Sequence, residues 1–346
     1  MENKYLPGVG VDVGTSNLCV SRQKNDGSFE VKHHRNMLLP IECSQDSEDL
    51  LSNSKYLYIK SDNFFYVVGD DALKLSNALG RNDIVRPMQD GLLNPSLKSS
   101  QKLLNFILKA VVGSPIVENE SLRFSVPSNP VDRPEMNNIF HTTVLTSFFQ
   151  SLGYSARPIN EALASLYFED PCMTVEGEDL KHLSGYSLSF GAGMCNSCVA
   201  IGGMSVAEFS ITKCGDFIDK SVATVTSEPI GKIIRTKERD FNLNEEYEDS
   251  TKQALSIYYD EMINRVVRGI KSELSKTNRT FDGKLDIVLA GGTSMPKGFA
   301  ERFGKAVKAI GLPFGVNEVR ASNEPFYSVV QGCCLAARSD SQKKEK

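Results

Sequence analysis

The 346-residue chain has no tryptophan, only four histidines and no apolar run long enough to cross a bilayer. Adjacent His33 and His34 have no further ligand in sequence to close a metal site. A formal net charge of −4 leaves no basic excess, so nucleic acid is not expected as a direct ligand. Met1 to Pro7 has no signal-peptide character, and no amphipathic N-terminal helix offers a membrane tether; a cytoplasmic protein is the expectation. Cys195 and Cys198 have C-x-x-C spacing, but there is no second pair and no nearby histidine to complete a zinc tetrahedron. Buried, reduced thiols are predicted instead.

What the chain does have is ordinary globular composition and enough length for two domains with separate cores. Its most informative stretch is Gly8 to Val20, which reads as a strand, a tight turn at Gly14-Thr15-Ser16-Asn17, and a second strand. Gly14 is expected to take the positive φ of a hairpin turn. Such a turn gathers backbone N–H groups and two hydroxyls into an anion nest. Asp12, just before it, could hold Mg²⁺ through water. By itself the stretch is more plainly an ordinary hairpin with a turn-capping aspartate.

Phe29 to His34 continues the meander. Residues 35–71 are polar and irregular with two short strands, which predicts a small inserted subdomain. Leu97, Leu104, Leu108 and Val111 mark a helix. After the strand Leu122–Pro127, Asp132 offers an N-cap and Pro134 a first turn. Met136, Phe140, Val144, Phe148 and Leu152 then predict one buried helix face ending at Gly153. Asn160-Glu161-Ala162 opens another helix. The second half repeats the first device, with Tyr186–Phe190, the turn Gly191-Ala192-Gly193 and Ser197–Ile201, which predicts an internal duplication. Gly215 and Asp216 start a helix, and Ala254 to Leu274 forms a long amphipathic one. Leu285 to Ala290 is a strand running into Gly291-Gly292-Thr293-Ser294. This order of strands and helices is an α/β pattern.

The succession of these motifs resembles the actin superfamily over most of the chain, and within it the bacterial actins of the MreB and MamK type. Asp12 to Asn17 is similar to the first phosphate motif, Ser189 to Asn196 to the second, and Val288 to Met295 to the adenosine motif. Val67 to Ala72, followed by Arg86 to Leu93, is similar to the first small subdomain and its exit loop. The resemblance implies the ribonuclease H-like duplicated fold, with two α/β domains around a nucleotide cleft and a small subdomain inserted in each. Domain I is expected at 1–156 plus 324–346, with its insertion at about 35–71. Domain II is expected at 157–323, with its insertion at about 221–252, and 339–346 should be a disordered tail.

It further implies ATP or ADP with Mg²⁺, held by Gly14, Thr15, Ser16 and Asn17 on one side and Gly191, Ala192 and Gly193 on the other. Gly215, Asp216, Gly291, Gly292, Thr293 and Ser294 would complete the site, and Lys237 and Glu238 would reach the ribose and adenine. Asp12 and Glu161 take the catalytic positions, Asp12 through metal-bound water and Glu161 by orienting the attacking water. One departure stands out: the family's two second-motif aspartates are Ser189 and Asn196 here, and its two threonines are Met194 and Cys195. Neither Ser nor Asn brings negative charge, so slow or impaired hydrolysis is expected. The implied function is a filament of copies of this chain that positions cargo such as a magnetosome-type organelle or a plasmid, with a cargo adaptor as a further partner. A non-polymerising actin-fold adaptor or a small-molecule kinase is the alternative.

Overall fold

The computed structural model describes residues 4–344 apart from 82, 98, 172, 176–177 and 277–282. Its first half opens with an antiparallel meander of β1 (Tyr5–Val13), β2 (Asn17–Lys24) and β3 (Phe29–Arg35). A small sheet of β4 (Leu38–Glu42), β5 (Tyr58–Ser61) and β6 (Phe64–Val68) follows, with α1 (Gln45–Asn53) and α2 (Asp70–Leu79) beside it. The hairpin β7 (Met88–Gln89) and β8 (Leu92–Leu93) leads to α3 (Ser100–Val112), β9 (Ser121–Val126), α4 (Ile139–Ser151) and β10 (Ser155–Asn160). β9 and β10 add in parallel beside β1, giving the order β10-β9-β1-β2-β3.

The second half begins with α5 (Glu161–Glu169) and the short hairpin β11 (Met173–Val175) and β12 (Glu178–Lys181). A second antiparallel meander, β13 (Gly185–Phe190), β14 (Met194–Ile201) and β15 (Met204–Thr212), is followed by α6 (Gly215–Thr226), α7 (Ile230–Arg239) and α8 (Ser250–Lys276). Then come β16 (Lys284–Ala290), a 3-10 turn at Gly292–Ser294, α9 (Phe299–Ile310), β17 (Gly315–Ala321) and α10 (Ser328–Lys344). β16 pairs in parallel with β13, and β17 in parallel with β16. Each half therefore has a three-stranded meander with two parallel strands added beside its first strand. This is the duplication that the two glycine turns predict.

Side-chain alternation along β1 explains how the first half positions its carboxylate. Val9, Val11 and Val13 face a core shared with Leu104 and Leu108 of α3. The intervening positions Gly8 and Gly10 lie under α10, where a Cβ on Gly10 would come 2.2 Å from the Val330 carbonyl. Asp12 is the next residue in that alternation, and it lines a cavity together with Val329 at the start of α10. α10 also crosses α5 closely. A Cβ on Gly332 would lie 1.7 Å from the Ala164 carbonyl oxygen.

Four expectations are corrected. Gly14 is not among the glycines of positive φ. It is needed because a Cβ there would lie 2.7 Å from the Asn17 carbonyl that accepts its N–H. Asp132 caps no helix. Its carboxylate accepts from the Thr212 N–H at 3.0 Å and the Thr212 hydroxyl at 2.9 Å and pairs with Arg265, while α4 starts six residues beyond the expected turn, after Asn138. The buried face of α4 is His141, Leu145 and Phe149, and Phe140 is exposed. Finally, α10 continues through Lys344, with Asp340 paired to Arg123, where a disordered tail was expected; residues 345–346 lie outside the described residues. The polar stretch before β5 also contains a helix, α1, whose N-cap Ser44 accepts the Ser47 N–H.

Candidate functional site

The glycine turns meet at one cavity of about 890 Å³. Gly14, Thr15, Ser16 and Asn17 line it from the first half, and Gly191, Ala192 and Gly193 from the second. Gly291, Gly292 and Thr293 also line it, as do Asp12, Glu161, Lys237 and Glu238. A cavity of this size, lined by three glycine turns, suits a phosphorylated ligand.

Each turn is held by groups outside its own motif. Asn36 grips the first: its Nδ2 donates to the Gly14 carbonyl at 3.0 Å, and its backbone N–H donates to that of Ser16 at 2.8 Å. The Thr15 hydroxyl accepts the Gly91 N–H at 2.9 Å, and His33 Nε2 lies 2.8 Å from Asn17 Oδ1. The second turn is clamped from behind. The Gly191 carbonyl accepts the Gly215 N–H at 3.2 Å and the Thr293 hydroxyl at 2.8 Å, and the Ala192 carbonyl accepts the Asp216 N–H at 2.7 Å. Gly193 abuts the Asp90-Gly91 backbone, where a Cβ would come 2.5 Å from the Gly91 nitrogen. The loop at 90–91 thus ties the two turns together.

Three expected site residues do not line the cavity. Gly215 and Asp216 shape the second turn through the bonds just described, and the Ser294 hydroxyl donates to the Gly291 carbonyl at 2.8 Å. The Asp216 carboxylate lies 2.6 Å from Arg86. Burial pushes its carboxyl up, but Arg86, with Lys237 and Lys220 beyond, brings it net below the ordinary value. Lys237 and Glu238 do line the cavity, already paired: Lys237 with Asp219 at 2.6 Å and Glu238 with Arg35 at 2.6 Å. Arg35 also holds Asp70 at 2.7 Å. Arg35–Glu238 and Arg86–Asp216 both join the first half of the chain to the second. Neither pair has a sequence signal, because the partners lie 203 and 130 residues apart.

Asp12 and Glu161 are the cavity's two informative carboxyls. Ser125 donates its hydroxyl to Asp12 at 2.7 Å and accepts the Val13 N–H at 2.9 Å. Burial pushes Asp12 up to about 6 despite that bond. Glu161 follows Asn160, which caps α5 by accepting the Leu163 N–H at 3.0 Å. Burial, then the charge of Asp12, pushes Glu161 up to about 8. The two residues that replace the expected aspartates both face it: Asn196 Nδ2 donates to Glu161 at 2.9 Å, and the Ser189 hydroxyl at 3.4 Å. Asn196 Oδ1 meanwhile accepts the Ser128 N–H at 3.0 Å. Aspartates at 189 and 196 would have no hydrogen to offer Glu161 and would repel its ionised form.

All seven described cysteines are free, Cys195 and Cys198 among them. No helix among the described residues is long and apolar enough to cross a membrane.

A family model described as Volactin matches residues 8–337. Comparison with curated proteins gives no match. Among solved structures the chain is similar to a MamK double helical filament, with a TM-score of 0.64 at 17% identity over 96% of this chain and 98% of that one. It is similar to MreB 5 of Spiroplasma citri bound to AMPPNP, with a TM-score of 0.64 at 15% identity over 98% of each chain. A third is the ethanolamine utilization protein EutJ from Carboxydothermus hydrogenoformans, with a TM-score of 0.56 at 14% identity over 98% of this chain and 92% of that one. At these identities the likeness concerns the fold, which is actin-like.

Proposed function

The chain belongs to the Volactin family, and from that premise we propose that it is an actin-like cytoskeletal protein that binds ATP with Mg²⁺ between its halves and polymerises with copies of itself. Its filaments would position cytoplasmic cargo through an adaptor, with slow nucleotide turnover. The observation that carries this reading is the convergence of both glycine turns and the Gly291-Gly292 turn on one cavity. The likeness to MamK and MreB, the first solved as a filament and the second with AMPPNP bound, supports it.

The described residues contain no cluster of three or more His, Cys, Asp or Glu side chains that could hold a metal unaided. That donor set fits an ion delivered on the nucleotide's phosphates, with Asp12 reaching it through water; the ion would supply charge neutralisation there. The chain's own contributions are orientation by backbone N–H groups and the proton state of Glu161. Ionised, Glu161 is the stronger acceptor for a hydrogen bond from the attacking water, its Oε1 free among the described residues while Asn196 and Ser189 hold Oε2. With Glu161 raised to about 8 in the free protein, phosphate release at subsaturating Mg-ATP should rise between pH 7 and pH 9. A flat profile would remove Glu161 from this role.

The neutral Ser189 and Asn196 also suit a second reading, a nucleotide-gated adaptor of the same fold that does not polymerise. Sedimentation with and without ATP, followed by negative-stain microscopy, separates the two. Pelleted filaments that depend on nucleotide are expected. Their absence over a wide range of nucleotide and salt overturns polymerisation.

A further inference from the structure

Tyr259, on α8, lines the cavity and is fully buried, yet its hydroxyl has no hydrogen-bond partner among the described residues. A buried hydroxyl that gives up water for nothing costs free energy, and phenylalanine would fill the same volume without that cost. The packing accounts for the ring. Phe241 stacks on it at 5.5 Å, and Phe299 meets it in a T-shaped pair at 6.1 Å. Nothing in the packing accounts for the oxygen.

The charged groups near Tyr259 are Asp219 and Glu238, whose charges keep the phenol protonated once burial has raised it. Both are already committed, Asp219 to Lys237 and both Glu238 oxygens to Arg35. The hydroxyl is therefore an uncommitted buried donor and acceptor on α8, beside the stretch of α7 where Lys237 and Glu238 line the same cavity. We propose that Tyr259 reads the base, its hydroxyl hydrogen-bonding the edge of the purine of a nucleoside triphosphate bound in this cavity. This rests on the reading of the cavity as a nucleotide site. A phenol both donates and accepts, so it serves a ring nitrogen or an exocyclic amine.

The test compares the wild-type protein with Tyr259→Phe by calorimetric titration with Mg-ATP, Mg-GTP and tripolyphosphate, which carries phosphates without a base. Tyr259→Phe should weaken binding of whichever nucleotide the wild type binds about tenfold, the loss of one hydrogen bond, and leave tripolyphosphate unaffected. Without ligand the variant should melt about 2 °C higher, because the unpaired hydroxyl is gone. These opposite signs separate a ligand contact from a packing role, which would lower melting and affect nucleotide and tripolyphosphate alike. Equal nucleotide affinity in the two proteins overturns the role of Tyr259. A wild type that binds neither ATP nor GTP overturns the nucleotide reading beneath it.

Discussion

Replacing Asp12 with alanine is expected to lower the affinity for Mg-ATP about a hundredfold, and to abolish nucleotide-dependent sedimentation with it. The size of the effect follows from how little else in the cavity could share the work. Ser189 and Asn196 carry no charge and spend their hydrogens on Glu161. Glu161, raised to about 8, is largely protonated at neutral pH. Asp12, raised only to about 6, is the ionised carboxylate left at that position. Asp12→Asn can keep the Ser125 hydrogen bond while losing the charge, so it should bind as weakly as alanine; near-normal affinity in Asn would assign the effect to geometry. Both variants should fold, since among the described residues the one side-chain bond Asp12 accepts is that from Ser125.

The second large effect concerns the crossing of α5 and α10. Gly332→Ala places a methyl group 1.7 Å from the Ala164 carbonyl oxygen and 2.5 Å from its carbon, and neither can move without displacing a helix. A loss of about 3 to 5 kcal/mol in denaturant unfolding is expected. α5 carries Glu161 at its first position, so any folded remainder should also lose hydrolysis. Gly304→Ala in α9 is the control. The nearest atom to its new methyl is the Val319 Cβ at 3.7 Å, and alanine should stabilise that helix by about 0.5 to 1 kcal/mol. Equal behaviour of the two variants would contradict the close crossing.

The sequence made the two hairpins and the Gly291-Gly292 turn legible, because each is a local run rich in apolar residues broken by glycine. Their repetition was enough to expect a duplicated fold. It was a poorer guide to why each glycine was there. Gly14 relieves a steric approach to Asn17, and Gly10 makes room for α10, which lies more than three hundred residues away in sequence. Asp132 and Asp216 were read from local helix signals, yet their carboxylates serve distant partners, Thr212 with Arg265 and Arg86. Asn36, Arg35 and Tyr259 escaped notice for the same reason. A lone Asn, Arg or Tyr has no periodicity, and its meaning comes from what folding brings beside it.

The central claim is that the cavity between the two halves is a nucleotide site organised by Asp12. Calorimetric titration of the wild-type protein with Mg-ATP, alongside Asp12→Ala, tests it most directly. Saturable binding of one nucleotide per chain, lost in the variant, is the predicted result. No binding of ATP or GTP by the wild type, or binding that Asp12→Ala leaves unchanged, would contradict it.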